Sequence, residues 1–519
     1  MSADECSGER KERSMSREET GNGHPSEDVL HRFGYRQEFR RELKRFASFA
    51  VGFSVISVTT GVFTLYGSVL NWGGPLGVWT WPIVVLGQVV VALVYSALAS
   101  RIPLAGYSYQ WASRLANPMV GWLIGWLSFT FLMVSIVSVD YSLVQTVLPG
   151  LLNYTETAGN AWLITALVIV VQMALVLFST FWSTRINNMA TGTEVIGIVG
   201  LTVLLMLVGA VRGLLHPDHL FSMGAVPARG YFSLGTLTSA GPFVLSFLLG
   251  LYTIVGFEAA ANLSEETEHA HRVVPFAMLS AVLLSGVIGM AFLIALNLAS
   301  GDLHALAASA TPVADIVTQL LGRVVGDIFL VLVAFSMFAC GLVVFMTATR
   351  LVWAMSRDRR FPGHQPFSRV NERTNTPLLA TILCGMVLEV ILASFANQTA
   401  TLQNLFSTSV IVVVIIYLAT MILYVCTRHK LPRSHGFDLG PFEWPVVLLA
   451  LAWLVFALSI FRDSSFKIPW LYILLMFGIG LLYFLYMFLA RRDALRSLPL
   501  VVETEVPAAR PESRSDIKT

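Results

Sequence analysis

Residues 51–75 read VGFSVISVTTGVFTLYGSVLNWGGP, and residues 248–267 read LLGLYTIVGFEAAANLSEET. Both are apolar over much of a bilayer's thickness, yet both carry helix-weak residues at mid-length. In the first these are Thr59, Thr60 and Gly61; in the second, Gly256 followed by Glu258. A break in a membrane helix frees backbone groups near the bilayer midplane. There the N–H groups of a half-helix N-terminus attract an anion, and loose carbonyls attract an ammonium group. Gly and Thr also serve as close-packing residues in membrane helices. Glu258 tips the balance, because hydrocarbon penalises a carboxylate by several kcal/mol unless it finds a partner or water. Two matched breaks five spans apart predict two inverted five-helix repeats, spans 1–5 and 6–10, each opened by a discontinuous helix.

The rest of the chain fits that frame. Of 519 residues, 55% are apolar and 13% are Asp, Glu, Lys or Arg, against roughly 45–50% and about 25% in soluble domains. This excludes a soluble globular protein. Apolar stretches long enough to cross a bilayer fall at 47–70, 78–99, 119–148, 161–180, 189–211, 238–262, 273–299, 325–349, 378–396, 402–426, 444–461 and 468–490. All twelve are expected to be helices, which satisfy their own backbone, and the alternating pattern of a β-barrel is absent. The expected organisation is a charged tail (1–46), a membrane domain (47–490) and a second tail (491–519). The repeats would occupy about 47–211 and 238–426, with peripheral helices at 444–490.

Twelve spans place both termini on one side of the membrane. The tails and the loops on their side hold 29 of the 34 Lys and Arg residues, and the opposite loops hold 5. Short cytoplasmic loops collect basic residues, so both termini are expected in the cytoplasm, in a cell (plasma or inner) membrane. The tryptophans Trp72, Trp79, Trp81, Trp122, Trp126, Trp444 and Trp470 lie near span ends and read as an interfacial belt.

The net charge of +2 and the lack of a basic run with aromatics give no basis for nucleic-acid binding. Cys6, Cys340, Cys384 and Cys426 lack metal-site spacing. The last three read as buried free thiols, and neither a metal nor a cofactor is expected. There is no GxxxxGK[ST], no HExxH and no GxSxG, which argues against ATP-driven transport and against a membrane enzyme. No carbonyl filter or charge ring of a selective channel is readable. A nutrient sensor on a transporter fold would call for a longer cytoplasmic domain than the 46-residue tail.

Six stretches carry a family resemblance: FGYRQEFRRELKRFASFAVGFSVIS (33–57), NWGGPLGVWTWPIV (71–84), ASRIPLAGYSYQWASRLANP (99–118), VDYS (139–142), GFEAAANLSEET (256–267) and RLVWAMSRDRRFPG (350–363). With these the chain resembles the amino acid–polyamine–organocation superfamily of permeases, in particular its amino acid/choline branch. The resemblance implies an all-α polytopic fold of twelve transmembrane helices, a LeuT-like 5+5 inverted repeat with helices 1 and 6 broken. It implies secondary transport of a small molecule, an amino acid or related amine, through proton symport, with substrate exchange as the alternative. Choline, 4-aminobutyrate and polyamines remain alternative substrates. By position, Thr60 and Gly61 match the family's carboxylate site. Ser57, Tyr252 and Val255 match the carbonyls that hold the ammonium, with Tyr252 also an aromatic lid beside Gly256 and Glu258. Thr59-Thr60-Gly61 replaces the Gly-Ser-Gly of many relatives, and the added methyl groups would crowd that site.

Three more acids fall within spans: Asp140, Glu194 and Glu389. Glu194 stands where several relatives carry a lysine, so the charge is reversed; it is expected either to carry the coupled proton or to brace the broken helix 1. Asp140 is expected to face the transport pathway or a helix contact, and Glu389 to be structural or near an interface. Arg350, Arg357, Arg359 and Arg360 lie at the cytoplasmic end of span 8, and Glu265 and Glu266 at the cytoplasmic end of span 6. They read as gate ion pairs or, taken singly, as solvated loop charges.

The orientation is tested by labelling. Cysteines introduced into the N-tail, the 350–376 loop and the C-tail should be shielded from an impermeant thiol reagent in intact cells, and one in the 149–160 loop should react. Labelling of any of the first three from outside would reverse the topology.

Overall fold

The computed structural model describes residues 30, 33–36, 38–41, 43–152, 154, 157–236, 238–371, 373–395, 401–431, 434 and 436–496. They belong to two units. In the smaller (1–38 with 498–519), the Leu30 carbonyl accepts the N–H groups of Phe33 and Tyr35 in one turn. The larger, residues 39–497, holds the helices. Most of the N-terminal tail lies outside the described residues.

Its main helices are α1 (Arg45–Ile56), α2 (Val58–Trp72), α3 (Thr80–Arg101), α4 (Tyr107–Leu115), α5 (Pro118–Ser142), α6 (Ala158–Phe178), α7 (Thr180–Arg212), α8 (Pro242–Thr253), α9 (Ala259–Asn262), α10 (Ala270–Ala299), α11 (Arg323–Arg357), α12 (Leu378–Phe395), α13 (Thr401–Thr427), α14 (Glu443–Ile460) and α15 (Lys467–Ala490). Among the described residues the only bridges are two isolated pairs, Leu43 with Thr267 and Asn371 with Thr376. Among the described residues eleven helices are long and apolar enough to cross a membrane, with α1 and α2 together counting as one. The protein is therefore an all-helical polytopic membrane protein. The sixth of the twelve expected spans is not a continuous helix: α8 stops at Thr253 and α9 adds only one turn.

Local chemistry sets the helix ends. Asn117 caps α5 by accepting the N–H groups of Met119 and Val120, with Pro118 at the first helical position. A reciprocal capping box of Thr157 and Asn160 starts α6. Burial sorts the spans: 83% of the most apolar window is buried in α1–α2 and in α5, against 17% in α15, so the first two lie at the centre and the last at the rim. Close contacts depend on small residues, as expected where packing rather than water drives association. A Cβ on Gly289 of α10 would collide with the Trp81 ring.

That contact corrects the interfacial reading of two tryptophans. Trp81 and Trp122 are fully buried, donating to the carbonyls of Gly286 and Arg360, because an indole N–H inside the bundle is stable once it has an acceptor. Among the thiols, Cys340 and Cys384 are buried, whereas Cys426 is exposed.

One end of the bundle is closed by buried charge. Arg357 makes two hydrogen bonds to Glu265, at 3.0 and 3.1 Å. Arg350 Nε donates to Glu266 at 2.7 Å. Ala105 N–H also donates to Glu265, while Asn262 links Gly106 N–H to the Thr347 carbonyl. The Leu43 segment joins through Leu43 N–H to the Glu266 carbonyl and Glu268 N–H to the Leu43 carbonyl. These are not solvated loop charges, because charges withdrawn from water persist only when paired.

Arg350→Met should therefore lower the thermal unfolding temperature sharply, since an unpaired buried carboxylate costs about 3–5 kcal/mol. Adding Glu266→Gln should recover part of the loss; additive losses in that double-mutant cycle would show that the two groups do not interact.

Candidate functional site

The chain breaks first at Ser57. Its φ of 37° is left-handed, an unusual conformation for a residue with a side chain. The Ser57 hydroxyl accepts Thr60 N–H at 3.4 Å and lies 2.7 Å from the Thr60 hydroxyl. Glu194 Oε1, from α7, accepts Thr59 N–H at 3.1 Å, the Thr59 hydroxyl at 2.8 Å and the Ser57 hydroxyl at 3.3 Å. The carboxylate thus occupies the positive end of α2. The sequence predicts the break at Thr59, Thr60 and Gly61; in the structure these form the first turn of α2, because Ser57 takes the N-cap role and lets the helix restart at Val58. Gly61 N–H donates to the Ser57 carbonyl. A Cβ on Gly61 would run into Thr253, so this glycine sits at the contact between α2 and α8.

The second break spans Ile254 to Glu258. Gly256 has φ +80°, and a Cβ there would strike Val55, so both conformation and space call for glycine. Tyr417 of α13 clamps this segment, accepting Gly256 N–H at 3.1 Å and donating to Glu258 Oε2 at 2.5 Å.

Between the breaks lies a cavity of about 30 Å³ lined by Ser57, Thr60, Ser135, Tyr252, Val255, Cys340 and Ser409, among others. It admits a few waters at most. The Tyr252 ring packs on Phe406 at 4.1 Å. A second cavity, of about 10 Å³, holds Gly256, Glu258 and Tyr107. Val55, Phe131 and Val344 line both, forming an apolar wall between them. Ser57, Thr60, Tyr252 and Val255 are thus brought together, Gly256 and Glu258 lie beyond the wall, and Gly61 is not among the lining residues. No charged side chain among the described residues lines the larger cavity.

Asp140 lies elsewhere. Its neighbour Val139 lines the cavity, whereas Asp140 accepts a 2.8 Å hydrogen bond from Gln172 of α6. Glu389 is half-buried on α12. Sequence reading did not single out Tyr417, Gln172 or Ser336 of α11, whose hydroxyl lies 3.2 Å from that of Thr59. Neutral polar residues inside apolar runs were the available signal, though too common to stand out. It also passed over His216, Asp218 and His219, in a loop outside the long helices, whose ligating atoms lie within 4.8 Å of one another; HPDH in the sequence marks them.

A many-helix membrane bundle with a central cavity between two broken helices is the architecture of a membrane carrier. The chain belongs to the amino acid permease family, whose model matches residues 43–482. It is 26% identical over 464 residues to a protein described as an amino-acid permease BAT1 homolog of Oryza sativa subsp. japonica, covering 83% of this chain and 86% of that one. It is 25% identical over 447 residues to the GABA-specific permease of Saccharomyces cerevisiae, covering 83% and 76%. To the choline transporter of the same yeast it is 24% identical over 440 residues, covering 81% and 76%.

The cavity predicts two kinds of defect. Thr60→Val should raise the apparent KM about 3- to 10-fold, the worth of one hydrogen bond, and Tyr252→Ala should weaken uptake by removing the ring that packs on Phe406. Gly61→Ala should instead fail through packing, seen as a lower unfolding temperature, and Thr253→Gly should restore it. Wild-type uptake in both Thr60→Val and Tyr252→Ala would remove this cavity from the transport path.

Proposed function

We propose that the protein is a secondary active transporter that moves an amino acid or related amine across a cell membrane by proton symport. The observation that carries this reading is a cavity lined by residues of both broken helices. Its side chains supply hydroxyls, a thiol, aromatic rings and aliphatic surface without a charge, so the ends of a zwitterion would be held by backbone groups of the two breaks. The printed names of the relatives cover amino acids, 4-aminobutyrate and choline, all with an amine or quaternary ammonium. At about 30 Å³ the cavity belongs to a closed state, and Tyr252 and Phe131 move aside when substrate enters. The two breaks head two inverted repeats, the charged end faces the cytoplasm, and α14 and α15 are peripheral.

Glu194 couples transport to the proton in this reading, because it sits on the N-terminus of the half-helix whose first residues line the cavity. Protonation weakens its hold on Thr59 and frees the α2 terminus. Glu194→Gln should abolish concentrative, pH-driven uptake in reconstituted vesicles while exchange of internal for external substrate persists. If Gln preserves both activities, Glu194 is a brace alone. Uptake that follows a sodium gradient and ignores pH would discard proton coupling. A thermal-shift screen against amino acids, 4-aminobutyrate, choline and polyamines identifies the substrate, since ligand at 100 times its Kd stabilises by about 2.7 kcal/mol.

A further inference from the structure

Asp140 is fully buried on α5, with its side chain away from the substrate cavity. Its Oδ1 accepts Gln172 Nε2 at 2.8 Å, and the same amide nitrogen donates to the Phe338 carbonyl of α11 at 3.1 Å. Both amide protons of Gln172 are thereby used. The remaining atoms, Asp140 Oδ2 and Gln172 Oε1, are buried acceptors with no partner among the described residues. Gly341 of α11 covers the pair so closely that a Cβ there would collide with Asp140 Oδ1 and Gln172 Nε2. Helix α5 then departs from α geometry: residues Leu143–Val147 form a π-turn, a distortion that occurs frequently at functional sites.

We propose that Asp140 and Gln172 form a proton-binding site inside the bundle, separate from the substrate cavity and from Glu194, with the proton on Asp140 Oδ2 and shared with Gln172 Oε1. A carboxylic acid and a primary amide are complementary in two bonds, N–H to carbonyl and O–H to carbonyl. The first is in place, and Oδ2 and Oε1 are the two buried acceptors left over for the second. A proton from the aqueous phase adds to Oδ2, takes the side chain from −1 to neutral and turns an orphan acceptor into a donor; release reverses each change. No Lys, Arg or His among the described residues pairs with Asp140. A carboxylate so buried is costly, and the proton removes that cost. A metal ion fits poorly, since hard cations take about six or more oxygens and Gly341 marks how little room remains. The titratable groups that interact with Asp140 are Glu389 of α12, which acts on it, and Cys340 of α11 and Tyr252 of α8, on which it acts. None offers a positive charge.

The site lies behind two walls of the substrate cavity. On α5, Ser135 and Val139 face the cavity while Asp140 faces α6; on α11, Cys340 and Val344 face it while Phe338 and Gly341 meet the acid–amide pair. Gain or loss of the proton changes how α5 seats against α6 and α11, and so changes the cavity from behind.

The test is an infrared difference spectrum of the purified protein in lipid nanodiscs, acidic minus alkaline buffer, without substrate. The native protein should show the carbonyl stretch of a neutral carboxylic acid that disappears in Asp140→Asn and survives in Glu194→Gln. Gly341→Ala keeps every titratable group but pushes into the pair, and should shift the same band; it decides the matter should Asp140→Asn fail to fold. In vesicles without a pH gradient, native exchange should vary with pH, by at most about tenfold per pH unit for one proton, and Asp140→Asn should be flat. This second arm rests on the coupled-transport reading; if no amine is carried that reading falls, while the infrared result still stands or fails alone. A band unchanged in Asp140→Asn, or unchanged in Gly341→Ala, overturns the proposal.

Discussion

A helix that stops in the middle of a membrane bundle leaves donors and acceptors that lipid cannot satisfy. The carboxylate of Glu194 answers this at the first break, accepting one backbone N–H and two hydroxyls at the start of α2. The rest of the site depends on it. With the α2 terminus held by a side chain from α7, Ser57 can keep a left-handed conformation and the Thr60 hydroxyl can face a cavity. The second break uses another device for the same problem, a tyrosine from α13 whose one hydroxyl serves both Gly256 N–H and Glu258.

The two ends of this central region are built from different chemistry. Toward the basic end, Val55, Phe131 and Val344 separate the cavity from the space around Glu258, and beyond that the Glu265–Arg357 and Glu266–Arg350 pairs tie the segment after α9 to α11. Apolar contacts of this kind part without leaving polar groups exposed to hydrocarbon. The ion pairs separate only where water can reach them, since desolvated charge needs a partner. Bringing water to that end is thus the same event as opening it. At the cavity itself the Tyr252 ring, packed at a tilt on Phe406, carries no such electrostatic cost.

The acids within the apolar spans divide by what meets them. Glu194 faces a helix terminus and Glu258 a tyrosine. Asp140 faces an amide already committed to two acceptors, and Glu389 has a buried oxygen with no partner among the described residues. Three of the four lie close to the cavity-lining helices while contributing no side chain to the larger cavity itself. These acids therefore meet helix termini and helix contacts rather than the larger cavity.

Much of this was legible in the chain. Apolar runs of bilayer length fix helices because no other open structure satisfies its backbone in lipid, and Gly256 two residues before Glu258 marked the second break because a helix-weak glycine and a carboxylate in hydrocarbon both call for special surroundings. The pairing of acidic residues at 265–266 with basic residues at 350–357 could be suspected because both groups close spans on the same side of the membrane. Other features were decided only in three dimensions. Ser57 rather than Thr59-Thr60-Gly61 became the break because a carboxylate 137 residues away caps the restarted helix. Gly61 became a packing residue because Thr253 approaches it, and Asp140 turned from the cavity toward Gln172. Trp81 and Trp122 went inside because carbonyls awaited their N–H groups. Hydrophobic periodicity tells a segment which solvent it lives in, but the direction of each polar side chain depends on which neighbour the completed bundle brings within about 3 Å.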